Sequence, residues 1–242
     1  MNYKKAMYAK AMEDFRNNFE YYVVATEGDE VVINCPPFIP VSGNEYYKQG
    51  GIVELVSEIL GCQMYLCHRL DRETSGVLLL TSNLAHYNYL RLNWHESTQK
   101  RYDAVVIGRW DPAVTFAELP LISDEGEKKV RVDSRGRWAK TFFWVKQVFP
   151  TAGRNGLSWI GAQLVTGRKH QIRVHGAYLQ HPIVGDELYA PGWARSLHPR
   201  QLLHASELTL DVPWNEHPWI FTAGLPDDFS EFLAGLENGA YV

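Results

Sequence analysis

At 242 residues, with 45% hydrophobic and 21% charged side chains, the chain carries enough apolar material for one large core or two small ones. No apolar run approaches membrane-spanning length and residues 1–10 lack a signal-peptide core, which predicts no membrane association and a cytoplasmic location. The net charge of −4 is unevenly placed: residues 1–98 carry 8 Lys+Arg against 12 Asp+Glu, residues 99–175 carry 14 against 7, and residues 176–242 carry 2 against 9. A basic middle inside an acidic chain predicts a local surface for an anionic partner. Cys35, Cys62 and Cys67 match no common zinc spacing and read as free thiols in a reducing compartment.

Residues 4–20 space Met7, Ala11, Phe15 and Phe19 four apart among charged residues, the pattern of an amphipathic helix. Tyr21 to Ala25 and Val31 to Asn34 are β-rich runs around Glu27-Gly28-Asp29-Glu30, a predicted hairpin, and Pro36, Pro37 and Pro40 then end regular structure. Gly51 to Gly61 carries Ile52, Leu55, Val56 and Ile59 on one helical face, with Gly61 as C-terminal cap. His68-Arg69-Leu70-Asp71-Arg72-Glu73-Thr74-Ser75-Gly76 is a polar loop feeding Val77 to Leu80, an apolar run too short for a helix and read as a buried strand. Gly76, at the junction, implies a close backbone neighbour or a φ above zero. A carboxylate beside a buried strand makes Asp71 a candidate reactive group; the competing reading is a turn cap or a surface pair with Arg69 or Arg72.

Ser82 is placed to cap a helix running to about His95, with Leu84, Tyr87, Leu90 and Leu92 as packing residues. Lys100 to Gly108 reads as a strand, in which Tyr102 can be an ordinary strand aromatic. Lys128 to Asp133 and Trp138 to Val148 flank Ser134-Arg135-Gly136-Arg137, a predicted hairpin whose Lys128, Lys129, Arg131, Arg135, Arg137 and Lys140 hold much of the excess positive charge. Leu157 to Val165 is a further strand. It leads into Thr166-Gly167-Arg168-Lys169-His170-Gln171-Ile172-Arg173-Val174-His175, a strand-to-helix turn that puts His170 and Arg173 on one helical face. This stretch has no HExxH arrangement and no carboxylate or thiol at ligand spacing, so no metal is expected. Leu202 to Ala205 opens another strand, Trp214 to Pro218 a turn, and Trp219 to Thr222 the returning strand. Asp227 or Asp228 caps a last helix packed through Phe229, Phe232, Leu233 and Leu236. No repeat, low-complexity tract or long linker appears, so the expected organisation is an N-terminal helix (1–20) and one catalytic domain (21–242).

Two of these stretches carry a resemblance. His68-Arg69-Leu70-Asp71-x-x-Thr74-Ser75-Gly76, and Thr166-Gly167-Arg168-x-His170-Gln171-Ile172-Arg173-x-His175 followed by His181-Pro182-Ile183-x-Gly185-Asp186, resemble the signatures of one family of RNA pseudouridine synthases, a family with large-subunit ribosomal and tRNA members. The similarity covers about residues 21–225. It departs at Cys35-Pro36-Pro37-Phe38, where the family has Lys-Pro-x-Gly. Val130-Arg131-Val132-x-x-x-Gly136 with Thr141-x-Phe143-x-Val145 is similar to the ribosomal members, which puts rRNA ahead of tRNA as the partner.

The resemblance implies an α+β fold: a single catalytic domain with a mixed, largely antiparallel sheet flanked by helices around a central cleft. It implies isomerisation of uridine to pseudouridine in RNA by a monomer, with no metal and no organic cofactor. Asp71 would attack C1′ or remove the C2′ proton; a buried carboxylate stays ionised only beside an opposing charge, for which Arg173 is the counterpart. Tyr102 would stack on the base. Arg69 would fill the gap left by the flipped nucleotide. Arg168, Lys169, Lys100 and Arg101 are the implied phosphate contacts, with His170 beside them as a substrate-binding residue that, like His68, His175 and Asp186, also holds a loop in place. Two other classes use the same residues: an RNA N-glycosidase that releases uracil, and a non-catalytic RNA-binding factor.

Overall fold

The computed structural model describes residues 3–43, 50–124 and 126–240. In chain order the elements are α1 (Tyr3–Asn17), α2 (Phe19–Tyr22), β1 (Val23–Glu27), β2 (Glu30–Cys35), α3 (Ile52–Leu60), β3 (Tyr65–Leu66), β4 (Ser75–Thr81) and α4 (Leu84–Ser97). There follow β5 (Thr98–Ile107), β6 (Phe116–Glu118), β7 (Leu121–Ile122), β8 (Arg131–Val132), β9 (Lys140–Phe149), β10 (Leu157–Leu164), α5 (Gln171–Tyr178), α6 (Gly192–Arg195), β11 (Leu203–Leu210), β12 (Trp219–Thr222) and α7 (Asp227–Glu237). The chain divides into two compact units, Met1–Thr98 with Ala205–Pro226, and Gln99–His204 with Asp227–Val242.

In the first unit the strand order is β1-β2-β4-β11, with β3 on β4 and β12 on β11. The pairs β1–β2, β2–β4, β3–β4 and β11–β12 are antiparallel. All seven residues of β4 are buried, as expected of a strand covered on both faces. Val77 and Leu79 join Val32, Leu90, Leu208, Leu210 and Phe221 in one cluster; full burial of each such side chain is worth about 1.5–3 kcal/mol. Helix α1 belongs to this unit, with Tyr8, Met12 and Phe15 buried and Met7 and Ala11 only half-buried, one residue off the face the four-residue spacing predicts. Its Tyr8 hydroxyl donates to Gly50 O at 2.9 Å, and Lys4 Nζ pairs with the buried Glu73 at 2.7 Å.

Helix α4 departs from expectation at its start. Asn83, not Ser82, is the cap: its Oδ1 accepts from the amides of Ala85 (2.9 Å) and His86 (3.3 Å), while Ser82 N donates to Asp29 O in the β1–β2 turn. Leu84 and Leu92 are exposed and only Leu90 of the expected set is fully buried; the backbone at Asn93 is non-helical.

The second unit has the order β5-β10-β9-β6, all antiparallel, plus the small pair β7–β8. The hairpin expected over Lys128–Val148 does not form. Its turn exists, closed by Gly136 N to Asp133 O at 2.8 Å, but residues 116–122 take the hydrogen bonds of both limbs. β6 pairs with β9, Leu121 exchanges two 2.9 Å bonds with Arg137, and β7 pairs with β8. The expected charge at this tip is also partly neutralised locally, since Asp133 accepts from Arg135 at 2.8 Å and Asp124 pairs with Arg131. Helix α7 buries Phe229, Phe232, Leu233 and Leu236 as its spacing predicts, and Asp228 forks onto the fully buried Arg200 at 2.6 and 2.8 Å.

Gly76 satisfies both readings offered for it. Its φ is +115°, and a β-carbon there would lie 2.2 Å from the carbonyl oxygen of Ala205. Gly76→Ala is therefore expected to destabilise the fold by more than about 3 kcal/mol, a backbone-strain and overpacking effect; urea unfolding of the variant within 1 kcal/mol of wild type would contradict this close approach.

Candidate active site

The loop carrying Asp71 is tied at both ends to its own strand and neighbours. Cys67 N donates to Leu79 O at 3.2 Å and Leu79 N donates to His68 Nε2 at 3.0 Å, while the His68 ring stacks on Trp94 with centroids 4.7 Å apart. Leu70 is buried and anchors the loop between exposed Arg69 and half-buried Asp71. The Asp71 carbonyl accepts from Thr74 N at 2.8 Å, closing a turn. Arg72 pairs with Glu73 at 2.9 Å, and its carbonyl accepts from Phe38 N at 2.7 Å. Phe38 is buried with φ +76°, a left-handed conformation unusual for an aromatic residue, at the position where the resembled family has glycine. The departure at residues 35–38 thus keeps a glycine-like backbone, and that backbone supports the residue next to Asp71.

The remaining expected residues lie in the second unit. In β5, register places Tyr102 opposite Ala162 and Lys100 opposite Leu164, on one face, and Arg101 opposite Gln163, on the other. Lys100 and Arg101, expected together as phosphate contacts, therefore point to opposite faces of the strand. Tyr102 is buried, and burial pushes the half-buried Lys100 ammonium down to about 8.

The turn into α5 is held by Gln171. Its Oε1 accepts from Thr166 Oγ1 (2.7 Å) and Arg168 N (3.0 Å), and its Nε2 donates to Lys140 O and Thr141 Oγ1, both at 2.9 Å. His170, the residue before the helix, has left-handed backbone with φ 56°, and its Nδ1 lies 2.9 Å from the Tyr189 hydroxyl. Arg168 Nε donates to Trp138 O at 3.2 Å, and Lys169 is exposed.

Arg173 is buried and forks onto the fully buried Asp186, Nε to Oδ2 at 2.7 Å and Nη2 to Oδ1 at 2.8 Å. Asp186 also accepts from the amides of Leu188 and Tyr189, and the Arg173 guanidinium sits 5.2 Å from the Tyr189 ring centroid. The guanidinium plane is set by this fork, with Nη1 outside it. Sequence reasoning placed Asp186 in a loop-holding role without seeing that it orients Arg173. The signal was the Gly185-Asp186 step after His181-Pro182, but spacing does not name the partner.

His175 is structural. Its Nε2 faces Leu119 O at 3.4 Å, which can only accept, so Nδ1 at 2.9 Å accepts from Thr141 Oγ1.

The family model for RNA pseudouridylate synthase matches residues 29–178. The ribosomal large subunit pseudouridine synthase C of Vibrio vulnificus is 32% identical over 86% of this chain and 67% of its own length. The dual-specificity RNA pseudouridine synthase RluA of Pasteurella multocida is 34% identical over 80% of this chain and 88% of its own. In fold, the human RNA pseudouridylate synthase domain containing 4 superposes with a TM-score of 0.74 at 24% identity, covering 95% of this chain and 98% of that one. The chain belongs to the RNA pseudouridylate synthase family and is an RNA pseudouridine synthase, an isomerase.

The buried His175 gives a pH prediction. Burial pushes its folded-state value down to about 4, below the unfolded 6.5, so the unfolded chain takes up the proton first and stability falls as pH drops below 6.5. His198, pushed down by burial too, adds in the same direction. Urea unfolding is expected to show a loss on the order of 2 kcal/mol from His175 between pH 7 and 5, absent from His175→Gln. Equal pH slopes in the two proteins would contradict this.

Proposed function

We propose that this chain isomerises uridines of large-subunit ribosomal RNA, with Asp71 as the reacting carboxylate. The observation that carries the assignment is the Asp71 loop itself: a half-exposed carboxylate in a turn fixed by the His68–Leu79 and Phe38–Arg72 bonds, one residue beyond the buried anchor Leu70. The ribosomal target rests on the large ribosomal subunit for which the Vibrio relative is named. The dual-specificity relative favours a second reading, in which the same site also accepts uridine from another RNA, with tRNA as the second substrate.

Uracil must leave C1′ through its nitrogen, turn, and rejoin through C5, which then gives up its proton while the freed nitrogen gains one. An ionised Asp71 either attacks C1′, holding the ribose covalently while the base turns, or removes the C2′ proton to give a glycal-like intermediate. Arg173 is the opposing charge in this proposal, its guanidinium plane held by Asp186 so that no side-chain reorganisation accompanies the charge change. Tyr102 stacks on the uracil and keeps it from leaving. The reaction needs the nucleotide out of its helix, and Arg69, exposed two residues from Asp71, takes the vacated position with its planar guanidinium. In this reading the chain acts in the cytoplasm.

Purified Asp71→Asn is expected to lose turnover on ribosomal RNA transcripts by at least roughly 10²–10⁴-fold while keeping its RNA affinity, since the amide removes the charge and little else. Turnover near wild type would overturn the role of Asp71; released uracil and an abasic sugar would instead mark an N-glycosidase. Arg69→Ala should slow reaction on a structured transcript by roughly tenfold or more and affect an unpaired oligonucleotide little, because only the former pays an unstacking cost of a few kcal/mol. Equal losses on both substrates would remove the base-flipping role.

A further inference from the structure

The second unit's sheet has a face that the reaction does not use. Opposed residues in a sheet share a face, so register defines two sets. Tyr102, Ala162, Phe143 and Thr141 lie on one, where Thr141 meets His175 of α5. On the other, Phe116 is opposite Phe142, Phe142 opposite Gln163, and Gln163 opposite Arg101; the next row is Trp144, Gly161 and Asp103.

This second face is aromatic and open. Phe116 is 50% exposed, Phe142 41% and Trp144 37%, and Trp138, just before β9, is 48% exposed. The aliphatic Val165, just after β10 and bonded through its amide to Lys140 O at 3.1 Å, is exposed beside them, so this patch is mostly but not wholly aromatic. The rings are also pre-positioned. A β-carbon on Gly161 would fall 2.1 Å from the Trp144 indole, so the glycine is what lets that ring lie down on the sheet. Lys140 Nζ sits 5.0 Å from the Phe116 centroid and 5.5 Å from that of Phe142, and Lys146 Nζ lies 4.9 Å from Trp159. Beneath them the buried Asp103 accepts from Lys146 and from Trp159 Nε1 at 2.6 Å, fixing the row.

We propose that this face is a second RNA-contact surface, on which unpaired bases of the substrate RNA stack against Phe116, Phe142 and Trp144 while Arg101 and Arg168 at its margin meet the phosphates. Trp144 lies on the sheet while Phe116 and Phe142 meet edge to face at 65°, so the face offers ring surfaces in more than one orientation with cations between them, which suits the splayed bases of a single strand, each with its own π-face. On the face itself Arg101, Lys140 and Lys146 stand against Asp103 and Glu118, a small excess of positive charge. The acid on the face's edge, Glu118, is held by Lys140 at 2.8 Å and by Trp138 Nε1 at 2.9 Å, so the platform presents rings where these groups meet and leaves backbone contacts to the margin. This assignment rests on RNA being the substrate and not on which RNA it is.

Fluorescence anisotropy with a labelled uridine dodecamer and the full chain tests it. Phe142→Leu and Trp144→Leu keep apolar bulk and remove a ring, and each should weaken binding roughly fivefold or more. Trp144→Phe keeps a ring and should keep most of the affinity, which separates stacking from a folding defect. Glu118→Gln frees Lys140 and should strengthen binding severalfold, with a salt dependence steeper by about one charge. Wild-type affinity in both leucine variants would overturn the proposal and leave the face to a protein partner. The dodecamer is read without turnover, so failure here leaves the ribosomal target standing, and failure of that target leaves this binding result unchanged.

Discussion

The carbonyl oxygen of Ala205 occupies the place where a side chain on residue 76 would begin, and the position of the Asp71 loop follows from that contact. A strand buried on both faces cannot shift to relieve a clash, so β4 admits only glycine where it meets β11. Eight residues upstream the loop is fastened again by His68, whose Nε2 takes the Leu79 amide. Between the two fastenings Asp71 is carried on a turn with little freedom, and in the role proposed for it a charge that meets a reacting sugar gains most from being placed before the substrate arrives. Lys4 and Arg72 on Glu73 extend the same device, which ties α1 into the loop.

The Arg173–Asp186 fork has a different economy. Two buried ions contribute little net stability, because desolvation offsets their attraction, whereas removing one partner strands the other at a cost of about 3–5 kcal/mol. What the pair supplies is orientation: two parallel hydrogen bonds fix a planar guanidinium, and two backbone amides fix the carboxylate behind it. His175, kept neutral by burial, and Gln171, bonded through both ends of its amide, hold α5 against β9 in the same manner. The motif's histidine and glutamine are thus scaffolding for the arginine.

Much of this was legible in the sequence because local rules and tertiary structure agree. The two-residue turn at Gly28, the helix ending at Gly61, the buried β4, the Trp219–Thr222 strand and the apolar stripe of α7 all follow from periodicity and turn chemistry. Failures occurred where a distant segment decided. Residues 116–122 intercept the bonds that Lys128–Val148 would otherwise make with itself, and nothing in the local pattern announces them. Asp29 takes Ser82 and leaves Asn83 to cap α4. Phe38 adopts glycine-like backbone because Arg72 O receives its amide, a contact between residues more than thirty positions apart. The candidate residues stand in readable motifs, whereas Asp186 as the partner of Arg173, and the opposite faces of Lys100 and Arg101, required strand register and helix placement.

Pseudouridine mapping of total rRNA and tRNA from a deletion strain, complemented with wild-type or Asp71→Asn protein, tests the central claim most directly. The account predicts that one or a few large-subunit rRNA sites disappear on deletion and return only with the wild-type chain. Restoration of those sites by Asp71→Asn, or a deletion that changes no site in either RNA, would contradict it.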